Sequence, residues 1–312
     1  MTDHGAVAPL AVPGKAPRSR HRQNLEAYLF LLPWFGGIIA LTAGPLIASL
    51  YLSFTDFDML RTPNWVGLTN FVDMFSFDPR YRKALQVTFI YVLFGVPLNL
   101  IFALAIAVLL NQKVRGLGLF RGIYYLPSLL GGSVAVAVMW RQIFGGEGVV
   151  NQGLSLIGVN APNWISTPQY ALYTLILLHV WQFGSAMIIF LAGLQQVPKE
   201  LYEAAEIDGA SRWQKFVNVT VPMITPVIFF NLVLGVINSF QAFTSAYIVS
   251  GGSGGPADST LFYTLYLYQE GFTSFRMGYA SAMGWVLLLI IASFTALNFW
   301  ASRRWVHYGD EK

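Results

Sequence analysis

Residues 198–210 read Pro198-Lys-Glu-Leu-Tyr-Glu-Ala-Ala-Glu-Ile-Asp-Gly-Ala210, and the chain runs on to Val219-Thr-Val-Pro222. This is a charged island between two apolar segments. Its order is a short helix, a break, a second short helix and a stop. Pro198 suits a first helical position, where its missing N–H is an orphan in any case. Glu200 and Glu203 complement the positive end of the helix dipole. Gly209 can take the left-handed conformation that ends a helix. Ser211 can cap the next short helix, in which Trp213, Phe216 and Val217 offer an apolar face. Ala204 and Ala205 are small, so another surface can approach the helix backbone closely. From these residues alone, the stretch serves equally as a docking element or as an amphipathic connector in the headgroup region.

The rest of the chain decides which solvent surrounds the island. Of 312 residues, 55% are hydrophobic and 11% charged, with a mean hydropathy of +0.54. A globular domain carries roughly 25% charged residues, so the composition places the chain in the membrane class. A helical crossing needs about 20 mostly apolar residues. Six stretches qualify: 27–52, 84–110, 122–143, 171–194, 222–249 and 277–301. The expected fold is therefore all-α, a polytopic membrane protein of six transmembrane helices. Pro33, Pro45, Pro97, Pro127 and Pro226 fall inside or at the edge of these spans, and membrane helices tolerate them where neighbours satisfy the freed backbone groups.

The first span is too long for a cleavable signal peptide and lacks a convincing cleavage site. Residues 1–24 are Ala/Pro/Gly-rich and basic, and read as a mostly disordered cytoplasmic arm. Residues 25–305 form the transmembrane domain, with a core over 84–301 and the charged loop over 195–221. Residues 306–312 are a cytoplasmic tail. No separate extramembrane domain and no internal repeat stands out.

Lys and Arg orient the chain. With the N-terminus inside, the cytoplasmic segments carry Lys15, Arg18, Arg20, Arg22, Lys113, Arg115, Arg121, Lys199, Arg212, Lys215, Arg303, Arg304 and Lys312. The opposite side carries Arg61, Arg80, Arg82, Lys83, Arg141 and Arg276. The positive-inside rule then puts both termini, and the charged loop, in the cytoplasm. The outer segments 53–83, 144–170 and 250–276 are rich in aromatics, Asn, Gly and Pro. Trp34, Trp140, Trp164 and Trp300 read as interfacial anchors.

Several chemistries are missing. There is no cysteine, hence no disulfide framework or thiolate metal site. No Gly-x-x-x-x-Gly-Lys-Ser/Thr phosphate loop and no His-Glu-x-x-His motif occurs. No basic stripe with interleaved aromatics suggests nucleic acid. His4, His21, His179 and His307 are scattered, and nothing assembles a catalytic set around them. Only His179 lies deep in a span, whereas ion-coupled transporters usually keep acidic or basic groups there. A membrane protein that moves something polar and uncharged, with energy supplied elsewhere, fits these absences.

Glu203-Ala-Ala-x-x-x-Gly209, followed after nine residues by Val219-x-Val221-Pro222, resembles the EAA loop of binding-protein-dependent ABC importer permeases. That pattern is Glu-Ala-Ala, three residues, Gly, nine residues, Ile-x-Leu-Pro; the spacing matches, with Val for Ile and Leu. Leu110-Asn-Gln-Lys-Val-Arg-Gly116 through Arg121-Gly-Ile-Tyr-Tyr-Leu-Pro127 is similar to the second cytoplasmic loop of carbohydrate-uptake permeases. Leu191-Ala-Gly-Leu-Gln-Gln-Val-Pro-Lys-Glu-Leu-Tyr-Glu-Ala-Ala205, Thr264-Leu-Tyr-Leu-Tyr268 and Asn64-Trp-Val-Gly-Leu-Thr-Asn-Phe71 agree with it. The resemblance covers roughly residues 25–305.

The resemblance implies a type I ABC importer permease fold in the cytoplasmic membrane of a prokaryote. It implies a second permease subunit, an ATPase dimer and an extracytoplasmic solute-binding protein as partners. It implies that Glu203, Ala204, Ala205, Asp208 and Gly209 couple to the ATPase, which uses ATP and Mg while this chain binds no cofactor. A sugar would cross by alternating access. Sugars are held by aromatic faces with amides and hydroxyls. The fourth span offers His179, Trp181 and Gln182, and the fifth offers Asn231, Asn238, Ser239, Gln241 and Ser245. Asn238 and Gln241 lie three apart and share a helix face. Interhelical hydrogen bonding is the other use of such residues. Glycerol phosphate is an alternative solute, and an ATP-independent facilitator or a membrane-embedded enzyme is an alternative class.

Overall fold

A computed structural model describes residues 20–112 and 116–307. The expected arm up to residue 19, Lys113 and Arg115 of the second cytoplasmic loop, and the tail beyond residue 307 lie outside the described residues. The chain forms two compact units, residues 1–49 and 50–312. In the first, α1 (Arg20–Ile38) passes through a π turn (Ile39–Ala43) into α2 (Gly44–Leu52). Tyr28–Leu52 is a stretch of 25 residues with a mean hydropathy of 1.8, long and apolar enough to cross a bilayer. Helix α1 begins inside the arm assigned from sequence to residues 1–24.

The second unit is helical throughout, and no β-strand occurs among the described residues. Its outer N-terminal segment holds α3 (Thr69–Val72) and a π turn (Asp73–Phe77). Then come α4 (Pro79–Leu110), α5 (Leu117–Leu130), α6 (Val134–Ile143) and α7 (Val149–Leu156). Next are α8 (Pro168–Trp181), α9 (Gly184–Leu194), α10 (Lys199–Ile207) and α11 (Arg212–Lys215). A π turn (Phe216–Thr220) and α12 (Val221–Met223) lead into α13 (Thr225–Phe240) and α14 (Thr244–Val249). The chain closes with α15 (Tyr263–Tyr268), a π turn (Gln269–Thr273) and α16 (Met277–Ser302).

Helices α4 and α16 are long single crossings. The other three crossings are broken: α5 and α6 meet at 97°, α8 and α9 at 41°, and the Arg212–Met223 segment and α13 at 66°. The sequence pattern predicts an unbroken helix over 122–143. Gly131 and Gly132 interrupt it, and the Ser133 hydroxyl caps the new start by accepting from the Val136 N–H. It also predicts one helix over 222–249. The structure breaks this at Ile224, before Pro226, and again after Phe240, so residues 244–249 form a separate helix. Hydropathy counts apolar residues and does not register where the backbone turns.

Helix α4 is the central element, packed by α8, α9, α13 and α15. At its outer half Val87, Tyr91 and Val96 are buried with Leu175, Phe240, Phe262, Leu265 and Met283. At its inner half Ala103 and Ala107 lie fully buried against Met187, Phe190 and Ile224. Lipid is as apolar as leucine, so close backbone approach through small residues holds helices together in a bilayer. Gly184 is one such crossing: a Cβ there would sit 2.8 Å from the Tyr124 carbonyl oxygen and 2.9 Å from the Tyr125 Cα. Trp140, read above as an interfacial anchor, is 7% exposed and donates to the Thr174 carbonyl at 2.9 Å. Its polar handle serves helix packing instead.

The N-terminal ends of α4 and α16 are joined to α15 through one carboxylate. Asp78 caps α4 by accepting the Tyr81 N–H, and its other oxygen accepts the hydroxyls of Tyr266 and Tyr279, each at 2.6 Å. Arg80 holds Asp258 through Nη2 at 3.0 Å and Nε at 3.2 Å, and Arg276 holds Glu270 at 2.9 Å. Burial opposes the charge on Asp78, but the donors from Tyr266, Tyr279 and Tyr81 outweigh it and keep the carboxyl below its ordinary value of 3.8. A depressed folded-state value means that the contribution is complete above the ordinary value. It is lost as pH falls through the folded one. Asp78→Ala removes a cap and an ionised acceptor together, and is expected to cost about 2 kcal/mol or more. Thermal unfolding of the purified protein should show this loss, and Asp78→Asn should flatten the decline in stability below pH 4.

Candidate functional site

The α5–α6 and α8–α9 breaks and the break after Phe240, between α13 and α14, border a cavity of about 460 Å³. Its walls come from the middle of α4 (Tyr91, Asn99), the α5–α6 break (Ser128, Gly131, Ser133), the α8–α9 break (His179, Gln182, Ser185) and α13 to α14 (Asn231, Asn238, Ser239, Gln241, Thr244, Ser245). No Asp, Glu, Lys or Arg lines it among the described residues. Among aliphatic side chains such as Val96, Leu178 and Leu234, the polar groups that the cavity presents are hydroxyls, amides and an imidazole. Such groups suit a neutral, hydrogen-bonding solute and give a free ion little compensation for its hydration.

A broken helix frees backbone groups that hydrocarbon cannot satisfy. Here side chains from one break serve the other. Gln182 Nε2 donates to the Gly131 carbonyl at 2.9 Å, and Ser128 Oγ donates to the Gln182 carbonyl at 2.8 Å. The same Ser128 oxygen accepts the Ser185 N–H at 3.0 Å. On the opposite wall, Asn99 Nδ2 donates to the His179 carbonyl at 2.7 Å. The His179 imidazole stands over Gly95, where a Cβ would be 3.2 Å away, and its Nε2 is 3.5 Å from Ser239 Oγ.

The pathway candidates from the sequence therefore divide, with Ser245 among those that line the cavity. His179, Gln182, Asn231, Asn238, Ser239 and Gln241 line the cavity. Trp181 does not; its indole packs beside Trp140 with ring centroids 6.0 Å apart. Gln182 and His179 are engaged in holding the breaks. Asn238 and Gln241 are exposed and carry no such duty. The sequence reading missed Tyr91, Asn99, Ser128 and Thr244. Asn99 had a signal, since a lone amide within an apolar span needs a partner or a role. Ser128 had none, because a serine near a Gly-Gly pair does not announce which carbonyl it meets.

The residues that the resemblance implicates in coupling sit on α10 and its end. Glu203, Ala204, Asp208 and Gly209 are exposed and Ala205 is half-buried. Gly209 has φ +75°, and the Ala210 N–H returns to the Ala205 carbonyl at 2.9 Å, closing the helix. Ser211 and Gln214 form a reciprocal capping box at the start of α11. Lys215 bonds Glu206 across the two helices, which holds that carboxyl below its ordinary range, and Tyr202 and Thr220 share a hydrogen bond of 2.9 Å. Ile207 and Trp213 stay 88% and 71% exposed. The loop is a rigid element that presents apolar groups outward.

Broken helical crossings around an uncharged polar cavity, beside a projecting helical loop, define a membrane component of a transport system. Residues 66–307 match the model of the binding-protein-dependent transport system inner membrane component family, and the chain belongs to that family. It is 52% identical over 313 residues to the probable ABC transporter permease protein YesP of Bacillus subtilis, with all of both chains covered. It is 35% identical over 286 residues to the lactose transport system permease protein LacF of Rhizobium radiobacter, covering 90% of this chain and 95% of that one. The fold matches a chain of a bacterial alginate ABC transporter, crystallised with an alginate pentasaccharide-bound periplasmic protein. That match has a TM-score of 0.75 and 24% identity, and covers 91% of this chain and 96% of that one.

The division between engaged and free amides has a measurable consequence. Gln182→Leu leaves the Gly131 carbonyl unpaired and is expected to destabilise the protein by about 1–3 kcal/mol. Asn238→Leu breaks no bond within the chain and is expected to stay within about 0.5 kcal/mol of the parent. Thermal denaturation of the two variants side by side, in one detergent, checks the contrast.

Proposed function

We propose that this chain is a permease subunit of an ATP-driven, solute-binding-protein-dependent importer of sugars. The observation that carries this reading is the uncharged, hydroxyl- and amide-lined cavity at the meeting of three broken spans. Relatives named for lactose, arabino-oligosaccharide and trehalose/maltose transport support the substrate class. A phosphorylated solute such as glycerol phosphate calls for a cation in the pathway. Arg141 does not line the cavity, and no other cation does among the described residues.

In this reading the chain pairs with a second permease, and the two cavities together form the pathway. Both termini and α10 face the cytoplasm, where an ATPase dimer binds and hydrolyses ATP with Mg. Glu203, Ala204, Ala205, Asp208 and Gly209 seat α10 against the ATPase. Closure of the ATPase draws the coupling elements together and turns the pathway from inward- to outward-facing. A solute-binding protein then delivers sugar from outside. Asn238 and Gln241, free of duties within the chain, receive it.

The coupling assignment is tested in proteoliposomes holding the complete transporter. Gly209 occupies a left-handed conformation that proline cannot adopt, and Glu203→Lys reverses charge on the docking face. Both Gly209→Pro and Glu203→Lys are expected to abolish sugar uptake driven by ATP while the chain still inserts. Undiminished uptake by both variants would remove α10 from the coupling role. Uptake by this chain alone, without ATPase, would establish a facilitator instead.

A further inference from the structure

Among the buried amides of the cavity, one lacks a partner. Asn99 donates to the His179 carbonyl and Gln182 to the Gly131 carbonyl. Asn231 is 4% exposed and lines the same cavity, yet its Nδ2 meets no acceptor. Leaving a buried donor unpaired costs free energy that a leucine of similar size would not incur. Helix capping cannot explain the amide, because Asn231 lies within α13, clear of both ends. No ionised group lines the cavity to attract it.

Position adds to this. Asn231, Asn238 and Gln241 fall at spacings of seven and three, which keep them near one face of α13 and its end. Asn231 lies about 10 Å along the helix axis from Asn238, on the side of the coupling loop. Asn238 and Gln241 are exposed, whereas Asn231 is covered. The three amides thus form a row that runs inward from an open end to a closed one.

We propose that Asn231 is a second sugar station, deeper than Asn238 and Gln241, whose amide N–H is taken up by a hydroxyl oxygen of the passing sugar. This rests on the reading of the cavity as a sugar pathway. In the structure described here the donor is covered and unpaired. A sugar arriving from Asn238 supplies the missing acceptor, so its inward step gains a hydrogen bond that the empty protein lacks. An amide gives the sugar a neutral, exchangeable partner, which allows release from the station as well as capture.

The test uses the complete transporter in proteoliposomes with its solute-binding protein. Lactose, maltose, an arabino-oligosaccharide and an alginate oligosaccharide serve as probes. Asn231→Leu is expected to lower the maximal uptake rate about three- to tenfold. The KM for loaded binding protein should stay unchanged, since that protein docks outside. The melting temperature of the assembled transporter should be equal or higher, because an unpaired donor has been removed. Asn231→Ser, which keeps a donor, should recover most of the rate. An unchanged rate in Asn231→Leu would overturn the proposal. So would a fall in melting temperature alongside the rate, which would assign Asn231 to structure. If the parent protein moves none of the four probes, the sugar reading itself fails and the station with it, a result visible before any variant is compared.

Discussion

The fold depends on satisfying backbone carbonyls at broken helices inside a membrane. A straight span closes its own hydrogen bonds, but a bend exposes carbonyl and N–H groups where water is scarce. Two of the three breaks answer each other through Ser128, Gln182, Gly131 and Ser185. This reciprocal set places the α5–α6 corner on the α8–α9 corner. The close approach at Gly184 makes room for it. Everything else in the centre of the molecule follows from that contact. The corners cannot fill the space between them, so a cavity opens there, and the breaks supply hydroxyls and amides to an otherwise apolar, uncharged lining.

The two ends of the second unit are tied by different means. At the N-terminal end of α4, Asp78 joins α4 to α15 and α16, beside the Arg80–Asp258 and Arg276–Glu270 pairs. The Arg80–Asp258 pair is partly exposed, and such pairs contribute little each. The shared carboxylate, by contrast, serves three donors at once. At the opposite end, Lys215–Glu206 and Tyr202–Thr220 brace α10 on the segment that leads, through the 66° bend at Ile224, into α13.

Much of this was legible in the sequence, and for identifiable reasons. The apolar spans and the helix–break–helix pattern over residues 198–215 were readable because hydropathy and cap chemistry are local: Gly209 ends α10 and Ser211 starts α11 where the pattern put them. The bends were not readable. Gly131-Gly132-Ser133 signals a weak helix, but its sharp turn depends on where Gln182 stands, fifty residues away in sequence. Trp140 shows the same limit: tryptophan suits both an interface and a packed contact, and only the Thr174 carbonyl decides between them. The amides of the cavity were found by residue type, while their roles hang on partners that the sequence does not pair.

That pairing separates recognition from architecture. An amide whose hydrogens are taken by a neighbouring carbonyl cannot also read a solute without opening the fold, so Asn99 and Gln182 are poor candidates for contact however well they line the space. The amides of α13 are free of that constraint. Helix α13 is the wall that the Arg212–Met223 segment leads into. Fixed bonds from α4 and from the α5–α6 and α8–α9 corners hold the breaks, while the buried Nδ2 of Asn231 on α13 meets no acceptor.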